Sequence, residues 1–167
     1  LQDAIHEVRR ISRDLRPAVL DDLGLKPAIE SMCAELQDRS GMRIEVKCDT
    51  IDNQLDIAKK TTLYRVLQET LTNIVRHADA TVVTISIKRE GQSVVMRIGD
   101  NGVGFETNRY IRNRDPRAGI GLRNMRERME FHGGGLSVRS EVDDGTRITA
   151  FIPASAHNEL PDKTISS

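Results

Sequence analysis

The sequence predicts an α+β fold of two layers, a mixed and mostly antiparallel sheet covered by helices on one face. Three observations carry this expectation. Helical patterns at 1–15, after Pro27, at 55–78 and at 122–131 each show an apolar stripe with polar residues off it. β-Branched runs come in pairs joined at glycine turns. Finally, 167 residues with 38% apolar content suffice for one ordinary core.

In chain order, residues 1–15 place Ile5, Val8, Ile11, Ser12 and Leu15 on one stripe, and Pro17 stops that helix. A connector at 17–24 leads to a second helix, which admits Pro27 in its first turn and stops at Gly41. Residues 42–48 alternate as a short strand. The long pattern at 55–78 gathers Leu63, Val66, Leu67, Leu71, Ile74, Val75 and Ala78 on one arc, with Arg65, Glu69, Asn73, Arg76 and His77 on the other. Strands at 81–88 and 93–98 join through Glu90-Gly91-Gln92. A long polar loop, 100–118, precedes the helix at 122–131, which ends at Gly133, Gly134 and Gly135. Strands at 136–141 and 147–152 turn through Asp143-Asp144-Gly145, and the segment after Pro153 reads as an unstructured tail.

Lysines plus arginines number 25 and acidic residues 25, so no net field draws this chain to nucleic acid or to an anionic membrane. Cys33 and Cys48 stand in no metal-like spacing and suggest a reducing compartment. No apolar run approaches the roughly 20 residues of a membrane span. A cytoplasmic domain is expected, and a parent protein could still be membrane-anchored elsewhere.

Four short motifs carry the chemistry. Glu69 and Asn73 are four apart and stack on one helix face, with Arg76 one turn on. A carboxylate, an amide oxygen and a cation in line suit magnesium and phosphate, although a solvated helix face would look alike. Asp100 lies at the end of a strand, where a carboxylate can accept from an exocyclic amine. Gly102 and Gly104 would permit close approach to a planar base, while Asp-Asn-Gly is also ordinary turn chemistry. Gly119 and Gly121 open a helix whose free amides favour phosphate. Gly145-Thr146 closes the series. No P-loop, complete dinucleotide fingerprint or protein-kinase signature is present.

In this order the motifs resemble the N box (Glu69 to His77), G1 box (Asp100 to Phe105), G2 box (Gly119 to Leu122) and closing Gly-Thr of sensor histidine kinase catalytic domains. The resemblance covers roughly residues 55–153 and implies the Bergerat ATP-binding fold, shared with DNA gyrase, the MutL repair protein and the ninety-kilodalton heat-shock chaperone. The segment Leu15-Arg16-Pro17-x-x-Leu20-Asp21-Asp22-Leu23-Gly24-Leu25 resembles the nitrate-sensor-type subfamily. By that likeness, residues 1–16 are the second helix of a dimerisation hairpin, 17–24 a connector, 25–153 the catalytic domain with an ATP lid at 105–118, and 154–167 a flexible tail.

The resemblance further implies ATP and Mg2+ as ligands. Asp100 would meet the adenine amine, Asn73 the magnesium, and Thr146 the adenine end. Gly102, Gly104, Gly119, Gly121 and Leu122 would form walls, Arg76 a phosphate clamp and His77 a pocket edge. Arg109, Arg112, Arg114 and Arg117 lie in the lid. Glu69 would orient in a kinase or act as base in a hydrolase. Implied partners are a receiver domain with helix-turn-helix output and a second copy in a homodimer. His6 lies too close to the Leu-Arg-Pro element to be the phosphoacceptor, and His132 and His157 make no better case. An ATPase clamp and a nucleotide-free docking domain are the two other readings.

Overall fold

The computed structural model describes residues 18–106 and 120–155. The expected helix at 1–15 with His6, the lid residues 107–118, Gly119 and the tail from 156 lie outside the described residues. The strands are β1 (Arg43–Cys48), β2 (Val82–Glu90), β3 (Ser93–Asp100), β4 (Gly135–Ser140) and β5 (Thr146–Pro153). They form one sheet of five in the order β1-β2-β3-β5-β4. Only β1 and β2 run parallel; the other three pairings are antiparallel.

Alternation decides which face is buried. Val83, Ile85 and Ile87 of β2 point into the core, as do Val94, Met96 and Ile98 of β3, while Thr84, Lys88 and Arg97 point the other way. Glu90 sits opposite Ser93, so the hairpin turns on Gly91-Gln92, with Gly91 at φ 59.

The helices α1 (Ala18–Leu23), α2 (Leu25–Ser40), α3 (Ile57–His77) and α4 (Ile120–Phe131) cover the apolar face. Asp56 starts α3 by accepting the Lys59 N–H at 2.9 Å. Leu63, Val66, Leu67, Leu71 and Ile74 then form its buried stripe. Val75, expected in that stripe, is 42% exposed. One position past Ile74, it lies about 100° round the helix from the core line.

The expected connector is itself largely helical. Leu20 and Leu25 are 1% and 0% exposed, so α1 is part of the core and not a tether. Asp52 fastens it: the Leu25 N–H donates to its Oδ1 at 2.8 Å, and Lys60 Nζ on α3 lies 3.3 Å from the same oxygen. Gly24 leaves room for that carboxylate, since a Cβ there would lie 2.6 Å from Asp52 Oδ1. Proline can stop a helix and is also tolerated where one begins, so Pro17 did not announce α1 in the sequence.

Leu67 is fully buried between the sheet and the helices. Leu67→Ala should cost about 2–5 kcal/mol, read as a lower midpoint with unchanged slope in urea unfolding.

Candidate active site

The polar side of α3 forms one wall of the candidate site. Glu69, Asn73, Arg76 and His77 make no side-chain hydrogen bond or ion pair with another described residue. Glu69 and His77 are exposed, and Asn73 and Arg76 half-buried. The start of α4 lies against this stripe. A Cβ on Gly121 would fall 2.8 Å from Glu69 Oε1 and 3.8 Å from Asn73 Nδ2, so the glycine preserves the gap between the two helices. One turn further, Thr70 Oγ1 reaches Met125 Sδ at 3.6 Å and closes that gap with core. Leu122 is half-buried and packs against the core beside it.

A second wall forms where β3 meets β5. Asp100 ends β3 directly opposite Thr146, which opens β5. The Gly102 N–H donates to Asp100 Oδ1 at 2.9 Å, and a main-chain hydrogen bond from Thr146 also reaches this carboxylate. Burial pushes the Asp100 pKa above its ordinary value, against the pull of those two bonds.

The two glycines after Asp100 are there for a different neighbour than the motif suggests. A Cβ on Gly102 would lie 2.1 Å from the Ala78 carbonyl oxygen, and one on Gly104, at φ 57, would lie 2.0 Å from that of Glu141. Main chain therefore docks on main chain. The Val103 N–H donates to the Ala78 carbonyl at 2.7 Å and the Asp143 N–H to the Val103 carbonyl at 2.8 Å. Because Ala78 directly follows His77, these bonds fix Asp100 relative to the α3 stripe.

Two residues to which the motif reading gave no role complete the frame. Asn101 Oδ1 accepts the N–H groups of Thr81 and Val82, both at 2.9 Å, and its amide donates to Thr81 Oγ1. Ser140 Oγ accepts the Phe105 N–H at 2.8 Å, donates to the Gly145 carbonyl at 2.9 Å and lies 3.0 Å from Thr146 Oγ1. Asn101 was visible as turn chemistry and as a member of the G1 box; Ser140 carried no signal.

Residues 58–156 match the family described as histidine kinase-, DNA gyrase B-, and HSP90-like ATPase. The chain belongs to that family. Over 160 residues, 96% of its length, it is 40% identical to the sensor histidine kinase MctS of Rhizobium johnstonii, of which it spans 34%. Among solved structures, the histidine kinase domain of a blue-light activated histidine kinase from Erythrobacter litoralis is similar at a TM-score of 0.63 and 20% identity. That match covers 77% of this chain and 60% of the other. A mycobacterial sensor histidine kinase, MprB, is similar at 0.60 and 19% identity, over 78% of this chain and 94% of the other. These likenesses share the α+β fold expected from the sequence, and the chain is an ATP-binding catalytic domain of the kind sensor histidine kinases carry.

In this ATPase domain the Gly102 contact allows no added atom. Gly102→Ala should destabilise by about 1–3 kcal/mol or more, because the obstacle is backbone and cannot swing aside. Thermal unfolding of the purified domain measures this.

Proposed function

We propose that this domain holds magnesium-ATP in the cleft between α3, the loop after β3 and the start of α4, and presents the γ-phosphoryl to a histidine other than the four in this sequence. From that histidine the phosphoryl would pass to a response-regulator aspartate. The observation that carries the reading is the unengaged Glu69–Asn73 stripe beside Gly121, held in one frame with the half-buried Asp100.

Asp100 accepts the adenine amine, and Thr146 supports the same end through water. Gly102 and Gly104, packed against the Ala78 and Glu141 carbonyls, hold the loop that carries Asp100 to the base, Gly121 and Leu122 form the wall beside the phosphates, and Gly119, outside the described residues, belongs to the same motif. Arg76 neutralises phosphate charge, and His77 borders the pocket. Asn73 would hold magnesium through its amide oxygen, waters and phosphate oxygens completing a shell that neutralises the transferring group. Glu69 orients the acceptor. Positioning and electrostatic stabilisation then supply most of the acceleration. A second reading, hydrolysis with Glu69 as base, is favoured by the freedom of its carboxylate beside Gly121 and would appear as steady phosphate release without an acceptor.

The Leu-Asp-Asp-Leu-Gly-Leu element supports a nitrate-sensor-type kinase, and its Leu20 and Leu25 anchor it in the core while Leu23 is exposed. Such a kinase works as a homodimer, anchored in the inner membrane where the parent carries spans, with a receiver partner that bears a helix-turn-helix output.

Calorimetric titration with a non-hydrolysable ATP analogue and magnesium should show saturable binding; its absence overturns the reading. Asp100→Asn should weaken binding about tenfold to a hundredfold, the worth of one hydrogen bond to a charged group, and Asn73→Asp should weaken it severely. The ionised Asp100 is the acceptor and its pKa is raised above 3.8, so affinity should be full well above that raised value and fall as pH drops through it. In Asp100→Asn that acid limb should vanish. Incubated alone with labelled ATP, the chain should form no acid-labile phosphohistidine.

A further inference from the structure

The proposed nucleotide cleft lies on the helix side of the sheet, and no described helix covers the opposite face. Its two carboxylates are already engaged. Arg43 lies 2.8 Å from Glu45, and Glu90 takes Lys88 at 3.1 Å and a two-pronged grip from Arg97, both prongs at 2.7 Å. Arg139 and Arg147 have no such partner among the described residues, although both are exposed.

These two arginines occupy directly opposed positions on β4 and β5. Like charges facing each other across a ladder are destabilising, and a local rule broken without an internal remedy marks a functional surface. The stem of Arg147 runs past Gly99, where a Cβ would lie 3.9 Å from its Cγ, so nothing at that position hinders the guanidinium. Ser137 and Thr149, opposed on the next rung of the same face, add hydroxyl groups.

We propose that this open face docks an acidic segment of a partner protein, with Arg139 and Arg147 sharing its carboxylates. Guanidinium forks bind carboxylates bidentately, and a shared anion turns the arginine pair from repulsive to cohesive. Glu45 and Glu90 on the face, and the exposed Glu141, Asp143 and Asp144 in the adjoining turn, confine the unpaired positive charge to the two arginines, which suits one or two carboxylates of a short segment and not the extended charge of a polyphosphate chain or an anionic bilayer. The zero net charge of the chain adds no long-range pull toward either.

The test uses amide chemical shifts of the whole chain, titrated with a peptide alternating glutamate and serine and with its glutamine–serine counterpart. Only the acidic peptide should perturb β4 and β5, and its affinity should fall about tenfold or more between low and physiological salt. Arg139→Thr and Arg147→Thr should each weaken it at least about fivefold, ATP-analogue binding being retained, while Arg139→Thr raises the melting temperature by about 1 to 4 °C. Lysine at either position should recover only part of the affinity, since the fork is lost. The proposal is overturned if the acidic peptide leaves β4 and β5 unmoved, or if both peptides act alike. It is overturned equally if phosphatidylglycerol vesicles or duplex DNA bind through these arginines more tightly than the peptide.

Discussion

The candidate site depends on one contact between main chains. The loop after β3 lies so close to the end of α3 that the Val103 N–H meets the Ala78 carbonyl at 2.7 Å, with no space for a side chain at 102. The far side of the same loop is held as closely, against the Glu141 carbonyl at Gly104 and by the Asp143 N–H. Asp100 comes from the sheet and Asn73 from a helix, and elements of different layers keep a fixed spacing only where something short and stiff joins them. Backbone hydrogen bonds do this better than a side-chain bridge, which would add rotatable torsions.

That stiffness is matched by a cost in charge. Asp100 is half-buried, and burial outweighs the two main-chain donors, so its ionised form is disfavoured relative to water. A folded-state pKa above the unfolded value means that this group contributes stability at acid pH and loses it as pH rises through the raised value. The structure keeps the carboxylate anyway. Glu90 is the opposite case: the Arg97 fork, then Lys88, hold its pKa at about 2. Its contribution is present above the ordinary carboxylate value of 4.5 and is lost as pH falls through about 2. One carboxylate is satisfied by neighbours on the open face; the other is left short beside the cleft, as a group awaiting a donor would be.

The two periodicities made most of the fold legible. Alternation at 42–48, β-branched runs and glycine turns found the five described strands, and the 3.6-residue stripe found α3 and its polar face, because these patterns report burial and chain reversal, which the sequence encodes directly. The motif glycines were legible as positions that exclude a side chain, but a sequence does not say what fills the vacated space. At Gly102 and Gly104 it is the protein's own backbone, and at Gly121 it is the neighbourhood of Glu69. The helix at Ala18–Leu23 was missed because Pro17 punctuates both sides. Ser140 was missed because a single hydroxyl that joins the nearby Gly145 and Thr146 to the distant Phe105 leaves no periodic pattern.

A two-layer fold buries one face of its sheet and leaves the other free, so a strand can serve two surfaces at once. β5 does so within two consecutive residues: Thr146 faces Asp100 and the cleft, and Arg147 faces Gly99 and Arg139 on the open side. Alternation insulates the two chemically, because their side chains leave the sheet in opposite directions. Mechanically they share a main chain, the same chain that brings a hydrogen bond from Thr146 to the Asp100 carboxylate. An anion drawn between Arg139 and Arg147 would pull on the rung that Ser140 and Thr146 share at the end of the β4–β5 ladder. Ser140 also holds Phe105, at the exit of the glycine loop. The path along the chain from the open face to the proposed cleft is one rung long, Arg147 adjoining Thr146 and Arg139 adjoining Ser140.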